Sequence, residues 1–269
     1  MAVWLRRVEC ELTDLSFTLH PSPHRDAPRV ALIHSLALDR SIWDEVVDRV
    51  RSKAEVLTYD CRGHGQSDRR PGHYTVELFA DDLAAVFDRV GWQHAVLGGC
   101  SMGGSIALAF AARHPGRVSG LLLIDTTAWY GDQAPAQFKE RAAAARSKGM
   151  KGLIDFQLGR WFSDDFRTRH PDLMKRLSDV FAAADLDCYA ASCDLLGAVD
   201  VRAALPSFRM PAAVIVGEED QATPVVMARY LHEHIAGSTL TIIPGARHLT
   251  PIEHPDTIAS ELLHLAQRA

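Results

Sequence analysis

The 269-residue chain reads as an α/β protein: a mostly parallel sheet of eight strands, helices on both faces, and one all-helical insertion. Three observations predict this. Short apolar runs alternate with longer amphipathic segments; most of the runs are continuous, as strands buried on both faces require; and the alternation lapses once, over residues 128–205.

Near the N-terminus, "WLRRVECEL" and "LSFTLHP" alternate apolar and polar residues, which suits an antiparallel edge hairpin. "RVALIHS" and "AEVLTYD" follow as buried strands, with the helical "SIWDEVVDRVRS" between them. "TVELFADDLAAVFDRVG" carries apolar residues at helical spacing and leads to the strand "HAVLGGC", the helix "GGSIALAFAARHP" and the strand "SGLLLID". From about Ala128 to Leu205 only helical segments rich in Ala, Arg and aromatic residues occur. The strands "AAVIVGEED" and "STLTIIPG" then alternate with the helices "PVVMARYLHEHIA" and "PDTIASELLHLAQ". Residues 1–127 and 206–269 are therefore expected to form the core. Residues 128–205 are expected to form a helical cap over the carboxyl edge of the sheet, where open α/β sheets take their ligands.

Composition narrows the function classes. With 47% hydrophobic and 23% charged residues the chain is ordinary for a soluble domain. A net charge of −5 without a basic stripe argues against nucleic acid, and Arg69 and Arg70 read as solvated loop charge. No run of eighteen apolar residues predicts a membrane span, and "MAVWLRRVECEL" lacks a signal-peptide pattern. The five cysteines (10, 61, 100, 188 and 193) are odd in number, contain no Cys-x-x-Cys pair, and suit the reduced thiols of a cytoplasmic protein. Cys188 and Cys193 read as core packing. His232 and His234 lie two apart on a helix and share no face, and no other spacing suggests zinc, so no metal is expected.

"VLGGCSMGG" sets two nucleophiles side by side, Cys100 and Ser101. Its Gly-x-Ser-x-Gly core falls between a strand and a helix, the setting of a tight elbow that holds its central residue out at the top of the sheet. Ser101 is thus the expected nucleophile, and Cys100 faces packing. A serine hydroxyl needs a base. His248, in "IIPGARHLTPIEHP" after the last strand, follows the order serine, acid, histidine, whereas His254 reads as a capping or surface residue. The acid belongs at the end of a late strand, where Asp220 reaches furthest into its loop; Asp125, ending "LLLID", is the rival. For an oxyanion hole, the candidate donors are the N–H groups of Met102 and of Leu36 in "HSLALDRSIW". His34 is expected to support that turn, and Arg62, His64 and Asp68 to brace the loop "YDCRGHGQSD".

With these residues placed, the chain resembles the α/β-hydrolase family, and within it the 3-oxoadipate enol-lactonases, ring-opening hydrolases of aromatic degradation. "HSLALDRSIW", "YDCRGHGQSD", "GCSMGG", "RWFSDDF" and "CYAASCDLLGAVDVRAALP" carry the likeness, the last two being the more specific. The resemblance implies a triad of Ser101, Asp220 and His248, and cap residues Arg160, Trp161 and Phe162 looking into the pocket. One segment departs. Such lactonases read like "NTAARIG" or "NTAAKIG" after the sixth strand; here "DTTAWYG" puts Trp129 in place of a basic residue. A carboxylate in a closed site needs a cation, so either Arg160 suffices alone or the substrate is less charged or more aromatic.

The expected pocket has Trp129, Trp161 and Phe162 as apolar walls and Arg160 as its only strong cation, unless Arg160 instead caps a helix or pairs with Asp164 or Asp165 on the surface. The expected activity is hydrolysis of a small lactone or carboxylic ester through an acyl-enzyme, with no cofactor. A carbon–carbon bond hydrolase of ring-cleavage products and a non-catalytic ligand-binding protein are the alternatives. The oligomeric state stays open, a homo-oligomer included.

Overall fold

The computed structural model describes residues 7–10 and 13–268. Strand β1 (Arg7–Cys10) pairs antiparallel with β2 (Thr13–His20), giving the expected edge hairpin; the rest of its N-terminal run lies outside the described residues. Strand β3 (Arg29–Ile33), helix α1 (Asp44–Val50), β4 (Glu55–Tyr59), α2 (Val76–Val90), β5 (Ala95–Cys100), α3 (Met102–Arg113) and β6 (Val118–Ile124) follow. Five helices come next: α4 (Ala134–Lys148), α5 (Ile154–Trp161), α6 (Asp164–Arg169), α7 (Pro171–Ala182) and α8 (Leu186–Ala198). The chain ends with β7 (Ala212–Gly217), α9 (Val225–His234), β8 (Thr239–Ile243), α10 (Thr250–Glu253) and α11 (Pro255–Arg268).

The sheet order is β1-β2-β4-β3-β5-β6-β7-β8, parallel from β4 onward. Most residues that read as continuous apolar runs lie in buried central strands, β5 and β7 being buried along their whole length, whereas β8 at the sheet edge is only partly buried. Adjacent glycines in β5 show how the two faces are covered. A side chain on Gly98 would meet Leu262 of α11, whereas one on Gly99 would meet the backbone of Gly103 in α3. Successive residues of a strand point to opposite faces, so α11 covers one face and α3 the other. Helix α1 packs beside α11 and α2 beside α3. Caps agree with sequence: Thr75 accepts from the Leu78 N–H at the start of α2, and Gly91 ends it at φ 73°.

This order has a consequence for function. The loops that follow β3, β5, β6 and β7 emerge side by side along one edge of the sheet. Between β6 and β7 the chain is helical apart from an antiparallel bridge of Trp129 with Asp200, where Val201 N–H also donates to Ala128 carbonyl at 2.9 Å. The bridge ties the two ends of that segment together. Among the described residues no helix is long and apolar enough to cross a membrane.

Helix α3 approaches the sheet backbone to backbone. A Cβ on Gly103 would fall on the carbonyl of Ile33, with no flexible side chain to give way. Gly103→Ala should therefore lower the urea midpoint far more than Gly91→Ala, which meets open space and bears only the left-handed penalty of about 1–2 kcal/mol. Equal shifts in two denaturation curves would contradict this packing.

Candidate active site

Ser101 joins β5 to α3 with φ 54° and ψ −116°, a backbone region that residues bearing a Cβ avoid. Its surroundings hold it there. The Ser101 N–H donates to Ile124 carbonyl at 2.9 Å, and Thr126 hydroxyl donates to Ser101 carbonyl at 2.6 Å. Gly99 and Gly103 have no room for a Cβ because each would strike backbone. The turn lifts Ser101 towards the cavity above the sheet. Cys100 is fully buried, and burial, then the charges of Asp125 and Asp220, push its thiol well above the ordinary value. A neutral, enclosed thiol is a poor nucleophile.

His248, in the loop after β8, links the sequence-predicted residues. Its Nδ1 lies 2.8 Å from Asp220 Oδ2 and its Nε2 2.9 Å from Ser101 Oγ. An ionised carboxylate only accepts, so Nδ1 carries the proton and Nε2 accepts from the serine hydroxyl. Asp220 also accepts from the N–H groups of Ala222 (2.7 Å) and Thr223 (3.0 Å) and from Thr223 hydroxyl (2.8 Å). Burial alone would raise its pKa; the facing His248 and the hydrogen bonds outweigh burial and hold the carboxyl below its ordinary value.

The rival acid has a different place. Asp125, fully buried, accepts from Gly217 N–H (3.0 Å), Thr250 N–H (2.9 Å) and Thr250 hydroxyl (2.7 Å). It ties the ends of β6 and β7 to the start of α10, and its described hydrogen bonds do not reach His248. Burial, then the charge of Asp220, raise its pKa well above the ordinary value.

Leu36 lines the cavity beside Ser101, and Met102 opens α3 directly after it. The Leu36 turn is tight: Leu38 N–H donates to Ser35 carbonyl at 3.3 Å, and Ala37 sits at φ 58°. His34 braces it as expected, donating from Nδ1 to Ser35 carbonyl (2.8 Å) and accepting at Nε2 from Cys61 N–H (2.9 Å). Burial lowers His34 to about 4 and His64 to about 3, so both stay neutral. The next loop is braced in part by the expected trio, His64 Nδ1 donating to Arg62 carbonyl at 2.9 Å and Gly63 N–H to Asp68 carbonyl at 3.0 Å. Arg62 reaches Asp82 of α2 with two hydrogen bonds (2.9 and 2.6 Å), and Asp60 receives the backbone N–H groups of Arg40 and Gln66, both at 2.9 Å.

The cavity above Ser101 measures about 710 Å³. Of the expected walls, Trp161 lines it and Trp129 and Phe162 do not. Trp129 lies under the Arg202 guanidinium, 3.8 Å from its ring centre, drawn aside by the bridge to Asp200. Phe162 is fully buried and stacks on Phe166. Arg160 faces the cavity, stacks on Phe156 and donates to Gln221 carbonyl at 3.2 Å, while Asp164 and Asp165 pair with Arg167 and Arg169. It is not alone there. Arg141 of α4 also lines the cavity, with Nε donating to Tyr189 hydroxyl at 2.8 Å.

Sequence reasoning missed Arg141, Gln157 and Tyr130. A signal was present for the first two: Gln137, Arg141, Ala144 and Lys148 recur at helical spacing, as do Leu153, Gln157, Arg160 and Trp161, and all line the cavity. Also unforeseen is the tie between these helices and the histidine. The Trp161 carbonyl accepts the N–H groups of His248 (3.1 Å) and Leu249 (3.2 Å), and Arg247 donates to Gly159 and Phe162 carbonyls at 2.8 and 2.9 Å.

An elbow serine on a mostly parallel sheet, facing a histidine and a carboxylate from later loops, defines a class. Residues 28–255 match the alpha/beta hydrolase fold family, and the chain belongs to it. Among its relatives, "3-oxoadipate enol-lactonase 2" of Acinetobacter baylyi is 31% identical over 86% of this chain and 85% of its own. The crystal structure of the enol-lactonase from Burkholderia xenovorans LB400 superposes with a TM-score of 0.92 at 33% identity, covering 97% of this chain and all of its own. A thermophilic esterase from Thermogutta terrifontis, with malate bound, gives 0.88 at 28% identity, covering 95% of this chain and 94% of its own.

Asp220→Asn should reduce kcat by several orders of magnitude, because the amide favours the wrong histidine tautomer. Asp125→Asn should mainly lower thermal stability. Parallel measurement of kcat and melting temperature separates the two, and the reverse ranking in kcat would make Asp125 the acid.

Proposed function

We propose that the protein is a serine hydrolase that opens a small lactone or cleaves a small carboxylic ester through an acyl-enzyme. The observation that carries this reading is the continuous relay from Asp220 through His248 to Ser101, ending at a cavity. Similarity to enol-lactonases and an esterase supports the substrate class. Ser101 Oγ attacks the carbonyl carbon as His248 Nε2 takes its proton. The negative oxygen of the tetrahedral intermediate faces the N–H groups of Leu36 and Met102, at the positive end of α3. Collapse expels the leaving oxygen with the proton from His248. Water then attacks the acyl-enzyme with His248 as base.

The substrate carries an anionic group. Arg141 and Arg160 face one cavity, and burial, then the charge of Arg141, hold Arg160 below the ordinary guanidinium value. A carboxylate between them relieves that repulsion and takes guanidinium N–H groups in a fork. Gln157 adds a buried Nε2 with no hydrogen-bond partner among the described residues. The helices of residues 128–205 serve as the cap that closes the cavity. Free, buried cysteines at 61, 100, 188 and 193 suit a cytoplasmic location.

Ser101→Ala should abolish hydrolysis of enol-lactones and aryl esters while leaving the circular dichroism spectrum unchanged, and Cys100→Ser should retain activity. Activity surviving in Ser101→Ala would overturn the proposal.

Arg141→Lys and Arg160→Lys should each raise KM for a carboxylate-bearing lactone about tenfold or more and leave a neutral aryl ester nearly unaffected. Equal changes on both substrates would show that the arginines support the cap and do not read charge.

A further inference from the structure

One polar group that lines the cavity of the proposed chemistry and takes no part in the relay is the phenol of Tyr130. Its hydroxyl is buried and has no hydrogen-bond partner among the described residues, yet Tyr130 lines the same cavity as Ser101 and His248. A buried hydroxyl left unpaired costs free energy, which a bound acceptor recovers. The ring is fixed: it meets Phe138 of α4 edge-on, with centres 5.3 Å apart and planes at 86°. Burial, the largest influence, pushes the phenol up to about 12, so at neutral pH it is a donor. The hydroxyls of Ser105 and Ser101 are close enough to pull the phenol's pKa down, but neither makes a hydrogen bond of good geometry with it.

Sheet order says which substrate atom meets it. Leu36 follows β3, Ser101 follows β5 and Tyr130 follows β6, with β5 between the other two strands. Tyr130 therefore flanks Ser101 on the side away from the Leu36 turn. The carbon attached to Ser101 Oγ in the tetrahedral intermediate bears three other substituents. The oxyanion faces Leu36, and the acyl carbon accepts no hydrogen bond. The leaving oxygen remains, and it must also lie near His248 Nε2 to receive a proton. We propose that Tyr130 donates a hydrogen bond to the leaving oxygen of the ester or lactone as its bond to the carbonyl carbon breaks. The proton that ends on that oxygen comes from Ser101 by way of His248. Tyr130 keeps its own and spreads the developing charge.

This inference rests on the serine-hydrolase reading, and one experiment separates the two. A series of esters of a single acid, with leaving alcohols ranging from 4-nitrophenol to a simple alkanol, is assayed for kcat/KM in wild type and Tyr130→Phe. The phenylalanine keeps the ring against Phe138. Good leaving groups need little help, so the expected losses are about twofold for the nitrophenyl ester and about tenfold or more for the alkyl ester. The readout is the slope within each enzyme's own series, which a partly unfolded preparation scales uniformly and does not tilt. A uniform loss, no loss, or a loss that follows the acyl group in a second acid series would overturn the assignment. A pre-steady-state burst of 4-nitrophenol in wild type, absent in Ser101→Ala, tests the underlying reading separately. If wild type shows no burst and Ser101→Ala keeps its activity, that reading fails and this inference with it.

Discussion

The structure turns on a serine held at φ 54° between a buried strand and the helix that follows it. A strained backbone persists only where its surroundings leave no alternative. Here Gly99 packs on Gly103, Gly103 packs on the carbonyl of Ile33, and Thr126 holds the Ser101 carbonyl. The same contacts bring the end of β3, and with it the Leu36 turn, against the first turn of α3. One constraint thus sets the proposed nucleophile and both proposed oxyanion donors. Because that constraint is backbone on backbone, it is rigid in the way a preorganised site requires.

The second organising contact joins the inserted helices to the histidine. The Trp161 carbonyl receives two consecutive N–H groups of the His248 loop, and Glu253 accepts both Ser163 hydroxyl (2.7 Å) and Arg247 N–H (3.1 Å). The helix that presents Arg160 and Trp161 to the cavity also holds the loop of His248, the proposed base. A shift of this helix therefore moves His248, which links the state of the proposed cap to the competence of the relay.

Much of this was legible in the sequence. The central strands β3, β4, β5, β6 and β7 appear as continuous apolar runs because parallel strands covered on both faces admit little else. Ser101 could be proposed from its Gly-x-Ser-x-Gly elbow and His248 from its place after the last strand, whereas Asp220 was preferred to Asp125 only because it reaches further into its loop. The pocket walls were not legible. Trp129 was assigned by its nearness to the expected mouth and Phe162 by the family resemblance, but direction is set by tertiary contacts: Arg202 and the Asp200 bridge claim Trp129, and Phe166 claims Phe162. Arg141 went unnoticed within the Ala-rich α4, whose polar and apolar residues show little segregation. Its companions at helical spacing, Gln137, Ala144 and Lys148, identify the cavity face only once the helix is seen to lie over the site. Asp125 and Asp220 both end strands. Which of them reaches His248 depends on a loop conformation that residue types do not encode.

The most direct measurement is to stop the hydrolysis of an activated aryl ester within the first turnover, digest the protein and map the acyl adduct by mass spectrometry. One acyl group, on Ser101, is expected. An adduct on Cys100, or none while product accumulates, would contradict it.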